Sequence, residues 1–194
     1  MVASSAVLVM SWGGAGNSAH ADEPTDVVLL DLGDPRAVAT WTTVNDPVMG
    51  GVSTSKIVFG DGGLAFSGNI SLANNGGFAS ARSPRDPDLE RRAVGATTLR
   101  LRAQGDGKTY VFDVGIEGQP WSYIQRFTTD PGVARTYDLP VAGFQPVGMR
   151  LDPAPDAPPT LDPSRINQIS VYILDKQQGP FELTISSVDA TIGR

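Results

Sequence analysis

The chain has 194 residues, 40% of them hydrophobic and 19% charged, which is enough apolar content for a sizeable core without cross-links. Its net charge of −6 argues against nucleic acid or an anionic membrane surface as a partner. With no cysteine, it has no disulfides, thiolate nucleophiles, zinc–thiolate sites or iron–sulfur clusters.

The first candidate element is a short apolar run, AVLVM (residues 6–10), followed by small residues and SAHADEP. Ala19-His20-Ala21 fits the small-x-small pattern of signal-peptide cleavage, so residues 1–21 are expected to be an export signal or a disordered extension, and residues 22–194 one β-sandwich domain. No positively charged stretch precedes the run, which points to a start upstream of Met1. The run is too short to span a bilayer. The expected location is periplasmic or secreted, or cytoplasmic if the segment is not a signal. His20 is the only histidine, so cleavage would leave a chain unable to run Ser-His-Asp or Cys-His chemistry.

From Val27 onward the sequence is a series of short period-two segments broken by Gly, Pro, Asn and Asp. Strands are predicted at VVLLDL (27–32), STSKIVFG (53–60), LAFSGNISL (64–72), GGFASARS (76–83) and TTLRLRAQ (97–104). Further strands are predicted at TYVFDVGIE (109–117), WSYIQRFTT (121–129), ARTYDLP (134–140), INQISVYILD (166–175) and PFELTISSVDA (180–190). GDGG and GDGK read as hairpin turns, with the 97–104 and 109–117 pair as the strongest hairpin signal. No segment sustains a helical period; Asp162-Pro163 can open one helical turn. LDPAPDAPPT (151–160) reads as a rigid exposed loop, and Arg82, Arg85, Arg91 and Arg92, interleaved with acids, as a solvated loop. The 22 glycines and 15 prolines suit many tight turns, and the expected architecture is an all-β, antiparallel two-sheet sandwich. The last strand is expected to lie near the first.

Two stretches resist a plain strand assignment: NDPVMGGVSTS (45–55) and NNGGF (74–78). Gly50-Gly51 and Gly76-Gly77 are expected to supply positive φ or close backbone approach, and Asn45, Asp46, Asn74 and Asn75 to bond backbone amides. The two stretches are expected to touch at one rim, because buried amides need partners. Trp41 and Phe78 would bury beside them. One option is pure scaffold. The other is a polar pocket with Asn45, Asp46 and Asn75 offering hydrogen bonds and Arg82 a positive charge.

A second constellation is Trp121, Tyr123 and Gln125, which share a strand face with Phe127. Trp and Tyr beside Gln suit a sugar or flat organic ligand; the same parity equally suits a core. Asp31, Asp34 and Asp189 are the candidates for an oxygen-ligated calcium in such a module, but no metal-loop spacing is present, and no cofactor or metal is expected.

The run WTTVNDPVMGGVSTS, then FSGNISLANNGGFASARS, LRLRAQGDGKTYVFDV, YIQRFTT, YDLPVAGFQP and YILDKQQGPFELTISSVDA, resembles the complex I intermediate-associated protein 30 family across residues 41–190. That resemblance implies a jelly-roll sandwich of the galactose-binding-like type, related in shape to carbohydrate-binding modules. Eukaryotic members are mitochondrial assembly factors for respiratory complex I, and others occur in chloroplasts and bacteria. This chain departs from the pattern at Ala134-Arg135-Thr136, where a Trp is often found, and at VGMR (147–150) after FQP. An export signal also conflicts with a role in complex I, which matures on the matrix or cytoplasmic side. The expectation is therefore a non-catalytic binding or assembly module for a small ligand, a glycan or a protein partner. The alternative is a cofactor-independent cyclase or isomerase using Asp46, Asp113, Tyr123 or Lys176.

Overall fold

The computed structural model describes residues 25–193. The expected signal segment lies outside the described residues. In chain order the strands are β1 (Thr25–Asp31), β2 (Thr42–Asn45), β3 (Thr54–Gly60), β4 (Gly63–Ile70), β5 (Ala79–Arg82) and β6 (Ala96–Gly105). They continue with β7 (Thr109–Ile116), β8 (Ser122–Thr128), β9 (Ala134–Pro140), β10 (Gln145–Val147), β11 (Ile166–Ile173) and β12 (Gly179–Ile192). Two α-helices are present among the described residues, α1 (Pro35–Val38) and α2 (Pro87–Ala93), with four single 3-10 turns.

The strands form two antiparallel sheets. The first runs β3-β4-β12-β6-β9, with β1 alongside the C-terminal half of β12; the second runs β10-β8-β7-β11-β5-β2. This is an all-β jelly-roll sandwich, and the last strand does pair with the first. The layers form because each strand alternates: Leu64 and Phe66 of β4, Leu99 and Leu101 of β6, and Leu183 and Ile185 of β12 point inward from one sheet. Tyr110, Phe112 and Val114 of β7 and Ile169, Val171 and Ile173 of β11 meet them from the other. Burying each such side chain contributes about 1.5–3 kcal/mol.

β2 and β10 escape the periodic pattern. They are 4 and 3 residues long and form the two edges of the second sheet, and β10 contains Pro146. Short, proline-bearing edge strands carry little alternation to detect.

GDGG behaves as expected. Gly60 pairs with Gly63, and Asp61 and Gly62 take φ of 51° and 74°, as a two-residue primed turn requires. GDGK does not join a hairpin: β6 lies in the first sheet and β7 in the second. The chain turns a corner there, held by the Asp106 carboxylate, which accepts from the Lys108 amide at 3.1 Å, the Tyr110 hydroxyl of β7 at 2.9 Å and the Glu182 amide of β12, in the first sheet, at 3.2 Å.

The arginine-rich stretch is not a plain loop either, since most of it is α2. Asp86 caps it by accepting from the Asp88 amide at 2.8 Å, Pro87 opens it, and acids precede Arg91 and Arg92 along the helix dipole. Arg92 ties it down, donating to the Leu29 carbonyl and the Asp86 carboxylate, both at 2.7 Å. The same Asp-Pro step opens α1 at Asp34-Pro35 and the expected turn at Asp162-Pro163.

Candidate functional site

NDPVMGGVSTS and NNGGF do meet at one rim, and Asp46 is what joins them. Asp46 is 1% exposed. Its Oδ1 accepts from the Ser53 amide at 2.8 Å; its Oδ2 accepts from the Ser53 hydroxyl, the Gly77 amide at 2.6 Å and the Phe78 amide at 3.3 Å. Ser53 extends the clasp, its hydroxyl accepting from the Ser71 amide at 3.0 Å. Burial alone would raise the Asp46 pKa, but the Ser53 hydroxyl and the amides of Gly77, Ser53 and Phe78 outweigh it and hold the carboxyl below its ordinary value.

Each glycine pair divides two duties. Gly50 and Gly77 take φ of 91° and 132°, whereas Gly51 and Gly76 make room: a Cβ would fall 2.4 Å from the Asp46 Cγ and 2.6 Å from its Oδ2, respectively. Of the two expected roles, positive φ or close backbone approach, Gly76 takes the second, with φ of −69°. Asn74 and Asn75 adopt left-handed φ of 55° and 59°. Asn45 sets its amide 2.7 Å from the Ser55 hydroxyl. The Asp46 side chain lies between the two loops and bonds both. Trp41 is buried in the core, whereas Phe78 is half-buried and turns to a different feature.

That feature lies on the outer face of the second sheet. Register places Val44, Ser80, Tyr172, Val111 and Arg126 in one row across β2, β5, β11, β7 and β8. Thr42, Arg82, Ser170, Asp113 and Ile124 form the adjacent row. Val111, Ile124, Val147 and Tyr172 pack into a small apolar cluster, joined by Leu151 and Leu174, separate from the main core. Above it lies a groove of about 480 Å3, walled by Gly77 and Phe78 on one side and Met149 to Leu151 on another. A second depression of about 240 Å3 shares Arg82, Met149, Leu151 and Tyr172 and reaches Asp113, Ser122 and Trp121.

Trp121, Tyr123, Gln125 and Phe127 do share a parity, but β8 turns most of it inward. Tyr123 and Phe127 belong to the main core, Tyr123 donates its hydroxyl to the Pro158 carbonyl at 2.8 Å, and Gln125 lies under Gly143. Only Trp121, just before β8, reaches the second depression. The opposite parity faces outward: Ile124 and Arg126 line the groove and Ser122 the second depression. Among the sequence-nominated residues, Arg82 and Trp121 line the outer face, while Asn45, Asp46 and Asn75 belong to the rim loops beside it.

Arg82 sits with its guanidinium 5.3 Å from the centre of the Tyr172 ring and its Nε donating to Ser80 at 3.1 Å. Arg126 grips Asp175 with two hydrogen bonds of 2.9 and 3.0 Å. Asp113 is buried beneath the second depression, where it accepts from the Ser122 hydroxyl. Burial pushes its carboxyl up to about 6, against the opposing pull of Ser122 and the Arg82 charge. Tyr172 is pushed up to about 12 by burial and by the Asp113 charge.

Three non-glycine residues with left-handed backbone line the groove: Leu151, Asp175 and Lys176, with φ of 59°, 62° and 58°. Each costs about 1–2 kcal/mol relative to ordinary backbone. Met149 is 90% exposed at the lip, a soft side chain held in water.

The four groups nominated for an enzyme do not converge. Asp46 is in the clasp and Tyr123 faces the core; Asp113 and Lys176 line different depressions. Nor do Asp31, Asp34 and Asp189 gather around a cation: Asp31 binds the Gly33 amide, Asp34 caps α1 and pairs with Arg36, and Asp189 accepts from Ser187. Among the described residues no group of three acidic or histidine side chains could hold a metal ion. Likewise, no helix among them is long and apolar enough to cross a membrane.

Solved structures with this fold include a family 11 carbohydrate-binding module from Clostridium thermocellum in complex with a β-1,3-1,4-mixed-linked tetrasaccharide. It has a TM-score of 0.60 at 19% identity, with 87% of this chain and 95% of that chain covered. The family 11 module of the cellulosomal cellulase Lic26A-Cel5E, also from Clostridium thermocellum, has a TM-score of 0.55 at 17% identity over 80% of this chain and 88% of that one. Part of the agarase AgWH50C matches with a TM-score of 0.56 at 14% identity, over 87% of this chain and 25% of the enzyme. At such identities the likeness establishes the jelly-roll fold. No curated protein sequence matches significantly. The family model described as complex I intermediate-associated protein 30 matches residues 30–185, which span the Asp46 clasp, the groove and nearly all of both sheets. The chain belongs to the complex I intermediate-associated protein 30 family.

Proposed function

We propose that this protein is a non-catalytic binding module that holds a carbohydrate along the outer face of its second sheet, and that it does so after export. The observation that carries this reading is the groove itself. The outer face of an antiparallel sheet ordinarily carries polar side chains, yet here Ile124 and Tyr172 floor a groove that Leu151 and Leu174 complete and Arg82 and Arg126 line. Apolar and aromatic area flanked by a few polar groups suits a sugar, whose C–H faces pack on the floor while its hydroxyls meet the walls. The related fold that holds a mixed-linked tetrasaccharide supports the same assignment. Ala19-His20-Ala21 supports export.

The test is affinity electrophoresis and calorimetry against a panel of neutral and acidic polysaccharides, comparing wild type with Met149→Asp and Tyr172→Ala. Met149 is too exposed for its replacement to disturb folding, so Met149→Asp should weaken retention about threefold to tenfold at an unchanged melting temperature. Tyr172→Ala should abolish retention. Failure of every polysaccharide to bind would contradict the proposal.

A further inference from the structure

We infer that the groove selects an anionic saccharide, an oligosaccharide bearing carboxylate or sulfate groups, over a neutral one. This rests on the carbohydrate-binding reading and names the ligand class it leaves open.

Charge placement carries the inference. The protein as a whole is acidic, with a net charge of −6. The groove inverts that sign: Arg82, Arg126, Arg150 and Lys176 line it, against the single carboxylate of Asp175. Arg126 is neutralised by Asp175 and Arg82 feels the Asp113 carboxylate in the adjoining depression, whereas Arg150 and Lys176 make no ion pair among the described residues. Among the described residues, the cations outside any ion pair are Lys56, Arg82, Arg102, Arg150, Arg165 and Lys176. Three of them, Arg82, Arg150 and Lys176, line this one groove. They come from β5, from the loop after β10 and from the β11–β12 turn, so no local sequence feature explains their meeting.

Two of those segments hold strained backbone at the groove. Lys176 and its neighbour Asp175 are both left-handed, and so is Leu151, next to Arg150. The tight turn through Asp175 and Lys176 and the loop through Arg150 and Leu151 set cations over an apolar floor, an arrangement that suits an anionic ligand. A neutral sugar laid over the same cations would strip their water without supplying counter-charge, so the arrangement discriminates against it. The floor of Ile124, Leu151, Leu174 and Tyr172 suits the ring faces, and Arg82 can meet a carboxylate or sulfate edge with its guanidinium plane held by Tyr172.

The test uses the full chain in calorimetric titrations with four probes: hexagalacturonate, a sulfated galactan oligosaccharide, a mixed-linked β-glucan oligosaccharide and a glutamate-rich peptide. One or both acidic saccharides should bind about tenfold or more tighter than the glucan, and the affinity should drop steeply as salt screens the cations. The tighter of the two identifies carboxylate or sulfate as the recognised group. Arg150→Glu and Lys176→Glu should each weaken acidic-saccharide binding about tenfold and leave the melting temperature unchanged. Equal or preferred binding of the neutral glucan would overturn the charge assignment while sustaining the carbohydrate reading. Binding of the peptide without any saccharide, or of none of the four probes, would overturn both.

Discussion

Asp46 and Asp113 are both buried carboxylates close to the outer face of the same sheet, and their surroundings give them opposite characters. Asp46 receives bonds from the Ser53 hydroxyl and from three backbone amides, and its pKa is lowered. Asp113 receives the Ser122 hydroxyl and feels the Arg82 charge, and burial still pushes it up to about 6. A carboxylate saturated by amides is scaffold, because ligand contact would have to break bonds that hold the fold. A carboxylate whose ionisation remains costly, beneath a groove, is where charge responds to surroundings.

The largest effect expected from breaking this contrast is at the clasp. Asp46→Ala leaves the amides of Ser53, Gly77 and Phe78 without their acceptor, and a loss of about 3–5 kcal/mol is expected by chemical or thermal denaturation. Stability that Asp46 contributes is fully present above its ordinary value of 3.8 and is lost as pH falls through its lowered folded value.

Next comes Gly76→Val, whose Cβ would meet the Asp46 Oδ2 at 2.6 Å and the Ser71 carbonyl oxygen at 2.7 Å. A loss of about 2–3 kcal/mol is expected, with backbone on one side unable to yield. Gly50→Ala should cost less. Nothing lies within 4 Å of its Cβ position, so only the left-handed φ of 91° is charged, about 1 kcal/mol. Equal losses for the two variants would mean that the clasp does not set the loop's tolerance.

Asp113→Asn should act with the opposite sign. The folded pKa of about 6 exceeds the ordinary 3.8, so between roughly pH 4 and pH 6 the folded state holds a proton that the unfolded chain has released. Stability therefore falls as pH rises through that window and is level on either side of it. The groups facing Asp113 are Arg82 from β5, Ser170 and Tyr172 from β11 and Ser122 from β8. Asparagine keeps the acceptor for Ser122, so the variant should be about 1–2 kcal/mol more stable than wild type at pH 7 and should lose the pH 4–6 slope. Melting curves across pH would show it; a destabilised variant at pH 7 would place the attraction of the Arg82 charge above the cost of burial.

Smallest in stability is Arg82→Ala, expected to change the melting point little, since the side chain is half-buried and outside any ion pair, while saccharide binding is lost. Asn45→Ala should do the reverse, costing about 0.5–1 kcal/mol through the Ser55 contact and leaving binding intact.

The fold was largely legible because nearly every strand alternates, and alternation is written locally. What alternation cannot say is which side faces the core. Trp121, Tyr123, Gln125 and Phe127 do share a face, but that face is inward for Tyr123 and Phe127 because Val114 and Tyr110 beside them on β7 are inward too. Turn chemistry has the same limit: Gly105 to Lys108 marks a reversal, and only long-range pairing decides that β7 leaves the sheet of β6. The contact between NDPVMGGVSTS and NNGGF could be inferred because each needs partners for its amides. The groove could not. Arg82, Arg126, Arg150 and Lys176 are brought together from distant elements, and their assembly is a property of sheet order. α2 did carry a local signal, an Asp-Pro step followed by acids and then arginines, which the interleaved charges obscured.

In the proposed binding mode, ligand lies on the outer face of the second sheet and the Asp46 clasp is scaffold. Amide chemical-shift mapping of the labelled protein during titration with hexagalacturonate tests it most directly. Perturbations are expected at Arg82, Ile124, Arg126, Tyr172 and Lys176, extending to the Gly77–Phe78 lip, with Ser53 and the first sheet around Arg102 and Thr184 unmoved. Perturbations centred on Arg102 and Thr184, or confined to Asp46 and Ser53, would contradict it.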